Sequence, residues 1–228
     1  FPPLFGEKLT KGLEGLEGRL REYKKMGATF AKWRAVYTIG ENTPSENCMK
    51  ENAILFAEYA KLCQKNDLVP IVEPEILIDG SHTIEKCYEI TARNLDIVFS
   101  ELKKSGVFIY CVILKTSMVI SGKENSEKSS PGEIAQMTLK CLKKHVSNDI
   151  GGIVFLSGGQ EDKEATENLN AMHKMEKLPW SLTFSYGRAI QNEALKSWAK
   201  NPDDIKTAQT LLVAAAKNNS LASVGKYK

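Results

Sequence analysis

The sequence is poor in the residues that build metal sites and extracellular frameworks. It has three histidines, His82, His145 and His173, each distant from the others and from any run of carboxylates. No His, Cys, Asp or Glu pattern has metal-ligand spacing, so no metal is expected. The five cysteines, at 48, 63, 87, 111 and 141, are odd in number and include no C-x-x-C pair. Four of them fall in apolar periodic stretches, where a reduced thiol acts as a small hydrophobe, and this points to the cytoplasm. No segment has the ~18 uncharged apolar residues of a membrane span. The leading FPPLFGEKLTKG lacks the basic region and apolar run of a signal peptide, and its start at Phe leads us to expect part of a longer protein. A large excess of one charge sign is also missing. Lys and Arg number 31 against 28 Asp and Glu, and the paired lysines at 24–25, 103–104 and 143–144 read as solvated helix faces. That balance is too mild for a nucleic-acid partner.

What the sequence has is rhythm. Short apolar segments alternate with longer amphipathic ones, the pattern of repeated βα units with parallel strands. Helices are expected over residues 11–25, 44–66, 83–105, 133–145, 161–172, 189–199 and 202–218. Strands are expected in ATFAKWRAVY, LVPIVEPEIL, the stretch 106–122, GGIVFLSGG and SLTFSYG. Ser130-Pro131, closing the polar loop GKENSEKSSPGE, reads as a helix start. Five strand–helix units are too few to close an eight-stranded barrel alone. The charges nevertheless favour a barrel over a doubly wound sheet, whose central strands are apolar on both faces. Lys32 and Arg34 share one strand face, as do Glu73 and Glu75.

The lysine in GVFIYCVILKTSMVISG carries the chemical question. Fourteen of its first sixteen positions suit a buried strand, yet Lys115 sits among them. Burial disfavours an ammonium and frees an amine that can attack a carbonyl to form a Schiff base. The alternative is a structural lysine paired with a carboxylate. VPIVEPEIL supplies two candidates, Glu73 and Glu75, on a strand expected to be stiff and bulged because Pro70 and Pro74 lack N–H groups. Glu73 suits the acid/base work of carbinolamine chemistry, and both carboxylates can also neutralise Lys32, Arg34 and Lys115. LSGGQ and FSYGR each place a hydroxyl and glycine N–H groups at a strand end, the second adding Arg188 at a helix start. Phosphate cups after the last two strands recur in (β/α)8 barrels. These residues together point to a barrel enzyme with a Schiff-base lysine, a carboxylate acid/base and a phosphorylated carbonyl substrate.

FAKWR, LVPIVEPEIL, ILKTSMV, FLSGGQ and LTFSYGRA, in this order and spacing, resemble class I fructose-1,6-bisphosphate aldolases, and NLNAM and NSLASVGKY extend the match. The resemblance implies an α/β fold, a (β/α)8 TIM barrel of which residues 1–228 supply about the last five units as one domain. It implies reversible cleavage of fructose 1,6-bisphosphate to dihydroxyacetone phosphate and glyceraldehyde 3-phosphate in glycolysis and gluconeogenesis. The cofactor expected is none beyond the covalent Schiff base on Lys115, and a homo-oligomer, dimer or tetramer, is expected. By the same resemblance Glu73 is the acid/base, Glu75 its supporting neighbour and Lys32 the second active-site lysine. Arg34 matches the distal phosphate end, and Ser157, Gly158, Gly159, Ser185, Gly187 and Arg188 match the groups that hold the ketose 1-phosphate. ILKTSM replaces the LLKPNM of many members, a variation that resembles bacterial ones. Two alternatives stand beside this reading: a non-catalytic binding form, or another Schiff-base barrel aldolase such as a transaldolase or deoxyribose-phosphate aldolase.

Overall fold

The computed structural model describes residues 6–228, so the first five residues of the amino-terminal stretch read above lie outside the described residues. In chain order the elements are α1 (Leu16–Lys25), β1 (Phe30–Tyr37), α2 (Glu46–Lys65), β2 (Val69–Ile76), α3 (Ile84–Lys104), β3 (Ile113–Thr116), α4 (Pro131–His145), β4 (Gly152–Phe155), α5 (Asp162–Met175), β5 (Leu182–Phe184), α6 (Arg188–Lys200) and α7 (Ile205–Ala222). Side-chain caps set several starts. Ser45, Thr83 and Ser130 accept the N–H groups of Cys48, Lys86 and Glu133; the helix start expected at Ser130-Pro131 is there, and Ser130 with Glu133 forms a capping box around Pro131. The first helix is shorter than expected. It begins at Leu16 because Gly15 before it holds the left-handed conformation, with φ of 65°.

All strands are parallel and lie side by side in chain order, β1-β2-β3-β4-β5. Crossovers between parallel strands are right-handed, so an uninterrupted order puts every crossover helix on one face of the sheet. A doubly wound sheet needs a reversal that is absent here. The packing agrees: α2 lies on β1 and β2, α3 on β2, and each helix from α1 to α5 packs against the next. Along β1 the helix-facing residues Trp33, Ala35 and Tyr37 are buried, while Phe30, Lys32 and Arg34 on the opposite face are exposed. Phe56, Tyr59 and Met49 of α2 and Phe155 of β4 fill the core between sheet and helices. The five units are consecutive staves of a barrel, with the inward face of the sheet carrying the charges.

Two expectations about strands need correction. Within residues 106–122 only Ile113–Thr116 form a strand; a 3-10 turn at Ile109–Cys111 precedes it, and Phe108 and Tyr110 are exposed. Beyond Thr116 the chain stays buried without joining the ladder. Hydrophobicity marked burial there, not strand. The second correction concerns β2, which has no bulge against β1: eight consecutive pairs run from Phe30–Val69 to Tyr37–Ile76. The N–H groups of Val69 and Leu77 donate to β1-side carbonyls, whereas that of Ile76 points to β3 and donates to Ser117 Oγ. Alternation therefore puts the missing N–H groups of Pro70 and Pro74 on the β3 side. The β2–β3 register is accordingly only Ile71–Ile113 and Val72–Leu114.

Candidate active site

The register of β1 on β2 aligns Lys32 with Ile71 and Arg34 with Glu73. Each cation then reaches one same-face position further along its neighbour. Lys32 Nζ lies 2.7 Å from Glu73 Oε2, and Arg34 Nε donates to Glu75 Oε2 at 2.5 Å. This hydrogen bond raises the Arg34 guanidinium further above its ordinary value. From the other side, Leu114 pairs with Val72, which brings the next residue, Lys115, level with Glu73. Lys115 Nζ approaches Glu73 Oε1 at 3.3 Å, and its side chain is 14% exposed against 4% for that of Glu73. One buried carboxylate thus faces a different lysine with each oxygen. The Lys32 contact is an ion pair by distance that does not meet hydrogen-bond geometry, so Oε2 keeps a lone pair uncommitted. The pairing that the sequence set beside reactivity is therefore present, with Lys115 next to the carboxylate.

The two glycine-rich strand ends follow β4 and β5. Ser157, Gly158 and Gly159 make a turn in which both glycines have positive φ, 58° and 89°, which favours glycine at each. The Ser157 carbonyl is taken by Gln160 through its backbone and side-chain N–H groups. The Ser157 hydroxyl and the N–H groups of Gly158 and Gly159 donate to nothing among the described residues. Ser185 N donates to Phe155 O, fixing the turn after β5 beside β4. Gly187 caps α6 without a side chain, and Arg188, exposed at the first position of that helix, has no partner among the described residues. The structure therefore joins Lys32, Glu73 and Lys115 in one contact set, with Arg34–Glu75 beside it. Ser157–Gly159 and Ser185–Arg188 stand at the carboxyl ends of the two strands next along the sheet. Among the described residues, no group of three or more His, Cys, Asp and Glu is arranged to hold a metal ion, and no helix is long and apolar enough to cross a membrane.

Comparison with known proteins gives the family of these singly wound βα staves. The model of the class I fructose-bisphosphate aldolases matches residues 3–228. The chain belongs to that family. A relative from Xanthomonas axonopodis pv. citri, named probable fructose-bisphosphate aldolase class 1, is 51% identical over 98% of this chain and 67% of its own length. Fructose-bisphosphate aldolase 4, cytosolic, of Arabidopsis thaliana is 49% identical over 98% of this chain and 57% of its own. A solved fructose-bisphosphate aldolase from Plasmodium falciparum superposes with a TM-score of 0.97 at 43% identity, covering all of this chain and 66% of the other. The chain thus spans about two thirds of the length of the bacterial relative and less of the plant one.

Two further polar residues carry no sequence signal for where they stand. Ser117 Oγ accepts from Ile76 N at 3.0 Å and donates to Ile76 O at 2.9 Å, standing in for the ladder that the prolines interrupt. Lys123 lies in a polar loop, where a lysine is unremarkable until its neighbours are known.

Proposed function

We propose that this chain carries the Schiff-base machinery for reversible cleavage of fructose 1,6-bisphosphate to dihydroxyacetone phosphate and glyceraldehyde 3-phosphate. In this reading Lys115 Nζ passes a proton to Glu73 and attacks the ketose carbonyl carbon. The carbonyl oxygen gains a proton to give a carbinolamine, and Glu73 returns a proton as that hydroxyl leaves as water, producing an iminium. Glu73, a carboxylate again, takes the C4 hydroxyl proton as the C3–C4 bond breaks. The electron pair of that bond flows into the iminium to form an enamine on Lys115, and C4 becomes the aldehyde carbon of glyceraldehyde 3-phosphate. Protonation at C3 and hydrolysis release dihydroxyacetone phosphate and restore the amine. Lys32 steadies the Glu73 carboxylate and assists carbinolamine chemistry, and Glu75 holds Arg34 for the distal phosphate. Ser157, Gly158, Gly159, Ser185, Gly187 and Arg188 hold the 1-phosphate.

The observation that carries the reading is the bridging of Lys32 and Lys115 by Glu73, which can take up and return a proton beside the nucleophile at one oxygen while the Lys32 ammonium stands at the other. The reading also takes residues 1–228 as one domain, sugar phosphates as the partners, a homo-oligomer as the working form and the cytoplasm as its place, the last supported by plant relatives named cytosolic. The electron sink is the iminium itself. Cleavage of fructose 1,6-bisphosphate, followed by coupled reduction of the released triose phosphate, should therefore persist unchanged in excess chelator. Loss of activity on chelation, recovered by a divalent ion, would overturn the reading.

A further inference from the structure

Behind the Ser157–Gly159 turn lies a cleft of about 390 Å³ between the loops that follow β2, β3 and β4, lined in part by Ile78, Ile120, Lys123, Lys128 and Gly159. The loop carrying Lys123 is pinned rather than free. Gly122 N donates to His82 O at 2.8 Å, Lys123 N to Ile78 O at 2.8 Å and Glu124 N to Gly80 O at 2.9 Å. A Cβ on Gly122 would stand 2.1 Å from Gly80 O, so only glycine allows the two loops to meet this closely. Lys128 Nζ closes the loop on itself by donating to the carbonyls of Gly122 and Lys123. Its hydrogen-bonding capacity is thereby largely spent.

That of the Lys123 ammonium is not. Its Nζ lies 3.3 Å from where a Cβ of Gly159 would be, and it has neither an ion pair nor a hydrogen bond among the described residues. The carboxylates in the same cleft, Glu161 and Glu164, are tied into the capping box of α5, where each accepts the other's backbone N–H. An ammonium without a partner on a rigid loop thus stands beside Gly159, in a turn whose glycine N–H groups and serine hydroxyl are also without partners among the described residues. Donors of these kinds bind oxyanions. We propose that Lys123 is a further specificity-determining residue, joining the Ser157–Gly159 turn to hold the phosphate of the ketose. This rests on the Schiff-base reading above and extends it to a residue of the β3 loop.

The test titrates borohydride trapping on the full chain with dihydroxyacetone phosphate and, separately, with unphosphorylated dihydroxyacetone. Losing a charge-assisted contact predicts that Lys123→Ala raises the half-saturating concentration of the phosphorylated ketone about tenfold. The unphosphorylated ketone should trap with unchanged dependence, and Lys123→Arg should restore most of the loss. Equal shifts for both ketones, or no shift for either, would overturn the assignment of Lys123 and leave the Schiff base standing. No trapping in the unsubstituted protein would overturn the Schiff-base reading, and the role of Lys123 with it. Because Lys123 is exposed, unchanged melting of the Ala variant is expected and keeps the comparison clean.

Discussion

Glu73 is the residue on which the site's electrostatics turn. A carboxylate that is 4% exposed is costly to bury alone, and two ammonium groups at 2.7 and 3.3 Å offset that cost. Glu73→Gln removes the shared counter-charge and leaves both lysines facing a neutral amide. The expected result is a loss of about 3 kcal/mol in unfolding free energy together with a fall of about a hundredfold or more in cleavage rate. A variant that loses stability but keeps its rate would limit Glu73 to a structural role. Arg34 offers a separate test at the same scale. Its removal leaves Glu75 buried without its partner and, if Arg34 holds the distal phosphate, raises KM for fructose 1,6-bisphosphate more than for fructose 1-phosphate. Equal KM changes for the two sugars would remove it from phosphate binding.

At the scale of elements, the β2–β3 junction decides whether Glu73 and Lys115 stay level. Its backbone register has two pairs, and a serine hydroxyl completes it at Ile76. Ser117→Ala orphans a buried N–H and removes a donor from a carbonyl, which should cost about 2 kcal/mol and lower the melting temperature by roughly 4–8 °C. An unchanged melting curve would show that the strands need no such staple. This junction also marks the limit of what could be read in advance. The alternation of apolar segments and helical stripes made all twelve main elements legible, and Lys32, Arg34, Glu73 and Glu75 fell on shared strand faces by simple period-two counting. Strand length was not legible at residues 106–122, because buried irregular chain and buried ladder have the same hydrophobicity. Nor was the unbulged β2, because the effect of a proline depends on which neighbour its missing N–H would have faced. Lys123 escaped for a similar reason: its place against Gly159 comes from contacts between loops separated by a whole helix.

At the largest scale, among the described residues, the helices cover one face of the sheet and leave the other to the charged site, and β1 and β5 each pair with a strand on one side only. Acid should loosen this assembly before the carboxylates titrate. Desolvation lowers the values for His82 and His173 in the folded chain below the ordinary 6.5, and His173 Nε2 lies 3.0 Å from Leu182 O, linking α5 to β5. Above that ordinary value both states are neutral and neither histidine matters. As pH falls through about 6.5 the unfolded chain takes up protons first, so stability falls. Glu133 and Asp204, whose values are lowered, contribute only further into acid. The melting temperature should therefore drop between pH 7.5 and 5.5, and the drop should shrink in a His82→Asn, His173→Gln double variant; an unaltered slope would assign it to other groups. The central claim, that Lys115 is the nucleophile, has a more direct test. Borohydride reduction in the presence of dihydroxyacetone phosphate, followed by peptide mass mapping, should place one reduced triose adduct on Lys115 and none in Lys115→Met. An adduct confined to Lys32 or another lysine, or a Lys115→Met protein that still cleaves fructose 1,6-bisphosphate at a near-normal rate, would contradict it.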